Sequence, residues 1–441
     1  MTAQSPHTST AAARVERARA IIRRTLGAAL AAKASDDLCL ALTGPAPTTL
    51  GPVFEFEHER LAAVPPAARR ATIDALRRDF ERSTAAVVTE LRRARPRATI
   101  ETCWLNSTLQ ARVDPPMLAE LAHDPQIRRV DVPRLVHLSA EEQVSDLAAQ
   151  PLNVVLRAAT GVRERHGLSG AGVVVGVIDT EVERDHPALG GRVQRAADIS
   201  GVGWGTPGSH GTAVAGIVAA DGSLLPPGAA SSFRGVAPSA TIRNYKIPRL
   251  ATDMQATRAI EQAVEDGLRI VNCSFGVVAL PLGGPSRVVA ACDEAWAHGT
   301  AVIKSAGEKV LTVPADAAGV IVVGATDLLG TRIARDSPHG IVGGHARPDL
   351  VAPGGAENSR EPWTTRPSNA VSIGTIGSVG RGTSIAAPHV TGLLALLLER
   401  RPSLQPDDLR ERLLAACTPL PGVAAEEQGR GLLSPELLLE R

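Results

Sequence analysis

Aromatic side chains are scarce in this 441-residue chain: one tyrosine, four tryptophans and five phenylalanines, 2% in all. A nucleic-acid platform needs aromatic faces for its bases, so that class is excluded. An excess of either charge is missing too. Lys and Arg number 47 against 46 Asp and Glu, a formal net charge of +1, so no basic field steers a polyanion. The five cysteines, at 39, 103, 273, 292 and 417, form no CxxC and no Cys/His spacing. Neither a disulfide framework nor a zinc site follows from them, and no metal or cofactor is expected. No apolar run reaches the roughly 18 residues of a membrane span, and no membrane association is expected. The opening MTAQSPHTSTAAARVERARAIIRR lacks the apolar core of a secretory leader. The expected address is therefore cytoplasmic, with leaderless export left open.

What is present is an ordinary hydrophobic share, 44%, on a chain long enough for two or three domains. Residues 8–33 read as one amphipathic helix, the bulk of an N-terminal extension over 1–34. SDDLCLALTGPAP (35–47) reads as a short strand closed by prolines. A long charged helix with a proline at each end follows over 65–97, then a hairpin over 98–113, a short helix over 115–125 and a strand over 126–133. Residues 35–138 thus form a small α/β module of β-α-β-α-β type. SAEEQVSDLAAQ (139–150) is polar, lacks periodicity and reads as a linker.

From 151 to 441 the pattern changes. Near-continuous apolar strands, VVVGVID (173–179), LRIVNCSF (268–275), TAVIKSA (300–306) and GVIVVGA (319–325), alternate with helical stretches at 212–220, 256–267 and 286–299. Such strands are buried on both faces, which means a parallel sheet with helices on both sides. Chemistry in such folds gathers at the carboxyl ends of the strands.

RGTSIAAPHVTGLLALLLER (381–400) puts Thr383 and Ser384 at the mouth of an apolar helix. One reading is a helix cap. The other is a nucleophile held after a glycine turn, which requires a base and an orienting acid. His210, in GSHGTAVAGIVAA, stands at a loop-to-helix junction. Asp179 ends a buried strand in VVVGVIDTEVERDHPAL. Orienter, base and nucleophile occur in the order Asp, His, Ser, the order that accompanies a parallel α/β sheet.

DTEVERDHPAL, HGTAVAGI and GTSIAAPHVTG resemble the three signature segments of the subtilisin-like serine proteases. RGVAPSATI, IVNCSFG, RPDLVAPG and QGRGLLSPELL extend the resemblance over 151–441, and residues 99–135 resemble the second half of a subtilisin propeptide. The resemblance implies a subtilisin-like parallel sheet preceded by a propeptide-like inhibitory domain over 35–138, whose tail crosses the active site near 132–143. It implies a serine endopeptidase in which Ser384 attacks, His210 takes the proton, and Asp179 holds the imidazole. Ser274, Phe275 and Gly276 would pair with the substrate backbone, and Gly276, Ala306 and Gly307 would line the specificity pocket. The partners implied are a peptide or protein substrate and the chain's own N-terminal domain.

The chain departs from the family pattern at Glu308, where an asparagine usually donates to the oxyanion. Three explanations stand: a protonated Glu308 that donates, a loop reshaped on activation, or an inactive pseudoprotease that binds peptides. The stretch from Glu308 to Pro314 is also short for the family. Glu181 replaces a common glycine and reads as a solvated loop residue, with a substrate-side charge as the alternative. Cys273 reads as a packed small hydrophobe. DGSLLPPGAASSF (221–233) stands where a calcium loop would be sought.

Overall fold

The structure, a computed structural model, describes residues 6–44, 50–57, 63–138, 153–222, 224, 233–276, 286–356, 363–365, 376–378 and 380–440. The expected linker at 139–150 and most of 221–233 lie outside them. The chain forms two compact units, one of residues 1–134 with 279–287, the other of 135–278 with 288–441.

The first unit runs α1 (Pro6–Thr25), α2 (Ala28–Lys33), α3 (Asp36–Thr43), β1 (Val53–Phe56), α4 (Arg69–Ala94), β2 (Ile100–Cys103), β3 (Thr108–Ala111), α5 (Pro115–Leu121) and β4 (Ile127–Asp131). From β1 onward this is a βαββαβ unit, its antiparallel sheet ordered β2-β3-β1-β4. Two expectations are corrected. The helix of 8–33 breaks at Gly27, whose φ of 103° ends α1 and caps α2. The strand expected in 35–47 is the helix α3. Ser35 accepts from the Leu38 N–H, and Asp36 and Asp37 sit at the positive end of the helix. The Ser-Asp-Asp start outweighs the apolar run that suggested a strand. The strand of this region is instead β1, whose four residues are all buried.

The second unit opens with β5 (Leu135–Leu138) and α6 (Val154–His166). There follow β6 (Val174–Asp179), β7 (Val193–Asp198), α7 (Ser209–Ala219), β8 (Thr241–Lys246), β9 (Leu250–Thr252), α8 (Asp253–Glu265), β10 (Ile270–Cys273), β11 (Phe275–Gly276) and α9 (Arg287–Ala297). Next come β12 (Ala301–Ser305), β13 (Val320–Thr326), the hairpin β14 (Gly340–Val342) and β15 (His345–Arg347), β16 (Leu350–Pro353), β17 (Trp363–Thr365) and β18 (Ile376–Ser378). The chain closes through α10 (Thr383–Arg400), α11 (Pro406–Ala415), β19 (Cys417–Thr418), a short helix, β20 (Leu432–Leu433) and a last helix.

Nine strands form one sheet in the order β19-β20-β16-β13-β12-β10-β6-β8-β7, parallel except for the β19 edge. Successive residues of a strand face opposite sides, and in β10, β12 and β13 every residue is buried. Both faces are therefore covered. Val175, Val177, Ile303, Ile321 and Val323 share one core with α6, α7 and α10. Ile178 pairs with Cys273, and Cys273 with Lys304, so the carboxyl ends of β6, β10 and β12 lie side by side. A separate three-stranded sheet, β11-β5-β9, stands at that end.

Candidate active site

Asp179 is the last residue of β6 and is fully buried. A buried carboxylate needs donors. It receives the Thr180 N–H at 2.7 Å and the Thr180 hydroxyl at 3.2 Å. His210 Nδ1 lies 2.8 and 2.9 Å from its two oxygens. A carboxylate only accepts, so the imidazole proton is on Nδ1, and Nε2 is left as the acceptor. Nε2 has no hydrogen-bond partner among the described residues. His210 stands in the first turn of α7, one residue inside the helix rather than before it. Gly211 permits this: a Cβ there would come within 2.4 Å of the Thr180 carbonyl oxygen.

Ser384 is the second residue of α10. The cap position belongs to Gly382, at φ 142°, and no side chain caps the helix, so the capping reading of Ser384 falls away. Its hydroxyl donates instead to the Ser274 carbonyl, at 3.3 Å. The carbonyl of Ser384 is held in return. Pro388, four residues on, has no N–H to give it. Ser274 Oγ donates to that oxygen at 3.0 Å, and Asn272 Nδ2 donates to Ser274 Oγ at 2.9 Å. The other end of the Asn272 amide accepts from Thr391 in α10, at 3.0 Å. Asn272 was missed in the sequence. The signal was an amide inside a buried apolar strand, where an unpartnered polar group is costly. Ala213 and Ile217 of α7 share a small core with Ile385 in the first turn of α10.

The Ser384 N–H is among those that begin a helix without an intrahelical acceptor, a donor available to a developing anion. Beside it, the segment Ala306–Glu308 is stitched to α10. Gly307 N–H donates to Thr383 Oγ1 at 3.1 Å, and Thr383 Oγ1 donates to the Gly307 carbonyl at 2.9 Å. The Thr383 N–H donates to Glu308 Oε1 at 2.8 Å. That oxygen is an acceptor here, as either protonation state of the carboxyl allows.

Phe275 and Gly276 lie at the carboxyl end of β10 as expected, but their edge is occupied. β5 pairs antiparallel with both, Phe275 opposite Leu138 and Gly276 opposite His137. On its other side β5 pairs with Leu250–Thr252.

Glu181 is not a solvated loop residue. It is 1% exposed, and its carboxylate takes the Lys246 ammonium at 2.9 Å, Arg195 at 2.9 Å and the N–H groups of Gly205 and Thr206. Burial opposes ionisation, but these donors outweigh it and hold the carboxyl below its ordinary value. A depressed carboxyl stabilises the fold above its unfolded value and loses that contribution as the pH falls. Glu181→Gln is therefore expected to cost about 2 kcal/mol at neutral pH. The gap from wild type should close as acid melts are taken below the ordinary carboxyl value of 4.5. A gap that stays constant down to acid pH would contradict the assignment. Cys273 is the packed, inert thiol expected, its pKa pushed up to about 12 by burial. Among the described residues no group of three or more His, Cys, Asp or Glu could hold a metal ion. Nor is any helix among them long and apolar enough to cross a membrane.

Residues 170–431 match the subtilase family, Peptidase S8. Subtilisin DY of Bacillus licheniformis is 34% identical over 287 residues, covering 62% of this chain and 93% of its own. Serine protease AprX of Bacillus subtilis is 31% identical over 283 residues, with 57% of this chain and 62% of its own covered. Among solved structures, fervidolysin of Fervidobacterium pennivorans, a keratinolytic enzyme related to subtilisin, superposes with a TM-score of 0.65 at 20% identity. That likeness covers 89% of this chain and 61% of fervidolysin, and it concerns the fold. A sheet of this topology, matched by the family along most of the second unit, leaves one conclusion: the chain belongs to the subtilases and is a subtilisin-like serine protease.

Proposed function

We propose that the protein is a serine endopeptidase working through Ser384, His210 and Asp179, and that it is made as a self-inhibited zymogen. The observation that carries the first part is the His210–Asp179 pair, which leaves Nε2 as a buried acceptor with no partner among the described residues. Ser384 attacks the peptide carbonyl while Nε2 takes its proton. Asp179 stabilises the imidazolium, and the Ser384 N–H donates to the oxyanion. His210 then protonates the leaving amine, and water cleaves the acyl-enzyme. The Ser384 hydroxyl must first leave the Ser274 carbonyl. Such bonds often form only when substrate is bound.

The zymogen half is supported by β5. Substrate backbones in this mode bind as an added strand. The chain's own Leu135–Leu138 already fills that edge, with backbone pairing on both sides. In this reading the βαββαβ unit upstream is the inhibitory domain, and the first cut falls in the stretch after Leu138.

A second reading, a peptide-binding pseudoprotease, is favoured by one observation, the Glu308 carboxylate beside the oxyanion donor. The test is the intact mass of purified wild type beside Ser384→Ala, together with labelling by a fluorophosphonate, which reacts with an activated serine. The expected result is a labelled wild type that has lost its segment up to the 139–150 stretch, and an unlabelled full-length variant. An unlabelled, full-length wild type would transfer the case to the pseudoprotease.

A further inference from the structure

The mechanism makes no use of Lys304, although a buried amine is among the costliest groups to place in a core. It lies in β12, fully buried, one strand from Cys273. Burial pushes its pKa down to about 7. Its Nζ donates to the Ser305 carbonyl and to Thr312 Oγ1, the latter at 3.1 Å. Thr312 is itself buried and is held by its N–H, which donates to the Ala306 carbonyl at 3.1 Å.

The position of the Thr312 side chain is the telling point. A Cβ on Gly276 would lie 2.0 Å from Thr312 Oγ1, and a Cβ on Gly307 would lie 3.0 Å from both Oγ1 and Cγ2. One threonine therefore touches the α-carbons of both walls of the expected specificity pocket. The strand register says which substrate residue meets it. Ser384 Oγ rests on the Ser274 carbonyl, so the attacked carbonyl belongs to the residue opposite Ser274. In an antiparallel strand the residues opposite Gly276 and opposite Ser274 are two apart and share a face. Gly276 turns its bare α-carbon to Thr312 on that face.

We propose that Thr312, pinned by Lys304, closes the slot for the side chain on the amino side of the scissile bond, and so restricts this protease to Gly, Ala or Ser there. The inference rests on the proposed nucleophile and deepens it. It also accords with the chain's own sequence, where Leu138 is followed by Ser139 and Ala140.

The test uses processed enzyme and peptides that differ only at that residue, carrying Ala, Phe or Glu. Wild type should prefer Ala to Phe in kcat/KM by about 10²-fold, since a pocket that lacks room for a few methylenes discriminates on that scale. Thr312→Gly should raise kcat/KM for Phe at least tenfold relative to Ala. Lys304 is a positioning residue, so Lys304→Met should narrow the Ala-to-Phe ratio, whereas mere destabilisation would lower both peptides alike. Equal cleavage of Ala and Phe by wild type would overturn the proposal. A preference for Glu would also overturn it, because the substrate would then be reaching the Lys304 amine. Fluorophosphonate labelling separates the two inferences. A labelled enzyme without selection for small residues defeats the closed slot alone. If nothing labels and nothing is cut, the nucleophile fails. The slot is then judged by peptide binding to Ser384→Ala, where equal affinity for Ala and Phe peptides would defeat it.

Discussion

Asp179→Asn is expected to lower kcat for peptide hydrolysis roughly 10⁴-fold with KM nearly unchanged, the scale on which an orienting carboxylate acts in serine proteases, subtilisins included. The reason is the proton on Nδ1. Both Asp179 oxygens face that nitrogen, and one of them also takes the Thr180 N–H. Asparagine keeps one oxygen for Thr180 and presents an NH₂ to the ring. That NH₂ donates to Nδ1, moves the ring proton to Nε2, and leaves no acceptor for the Ser384 hydroxyl. The pocket is preserved, so substrate binding survives while proton transfer fails. Initial rates on a chromogenic peptide, with intact mass recorded beside them, decide the matter. A loss below tenfold would remove Asp179 from the role.

Glu308→Asn should work in the opposite direction and raise kcat by about 10²-fold. Removing an asparagine donor from this place in a subtilisin costs 10²–10³-fold, and that sets the scale. In this chain the position holds an acceptor, Oε1, bonded to the Thr383 N–H next to Ser384. Negative charge there opposes the oxyanion, most strongly where water is excluded. Asparagine would remove the charge and supply a donor, while its oxygen can still receive the Thr383 N–H. Glu308→Ala separates the two effects, because it removes the charge and adds no donor. Its kcat should lie between wild type and the asparagine variant. If Glu308→Asn leaves kcat where it was, the idea that Glu308 restrains turnover is wrong.

The parallel sheet was legible because strands buried on both faces are written as apolar runs. Asp179 and His210 were legible because each marks an abrupt change at the end of such a run or at the start of a helix. Ser384 stood out as a candidate only through its company, since Thr-Ser at the mouth of an apolar helix is ambiguous by itself. What could not be read depends on distant parts of the chain. Glu181 looks solvated in sequence, yet its partners lie 14 to 65 residues away, at Arg195, Gly205, Thr206 and Lys246. Asn272 shows its purpose only once α10 lies across β10. The Thr312 side chain meets Gly276 through the fold, 36 residues along the chain. At 35–47 the failure was local: a cap and two acidic residues decided for a helix against an apolar pattern that also suits a strand.

Pro388 is the residue least suited to the inside of a helix, and its effect reaches beyond α10. By withholding one N–H it hands the Ser384 carbonyl to Ser274, on the strand that a substrate would join. Hydroxyl and carbonyl bonds then run both ways between the two serines. When the Ser384 hydroxyl turns away, as the proposed reaction requires, the bond from the Ser274 hydroxyl to the Ser384 carbonyl still ties the start of α10 to that strand. In the proposed mechanism, a defect in the regularity of one helix is what sets the aim of the reaction.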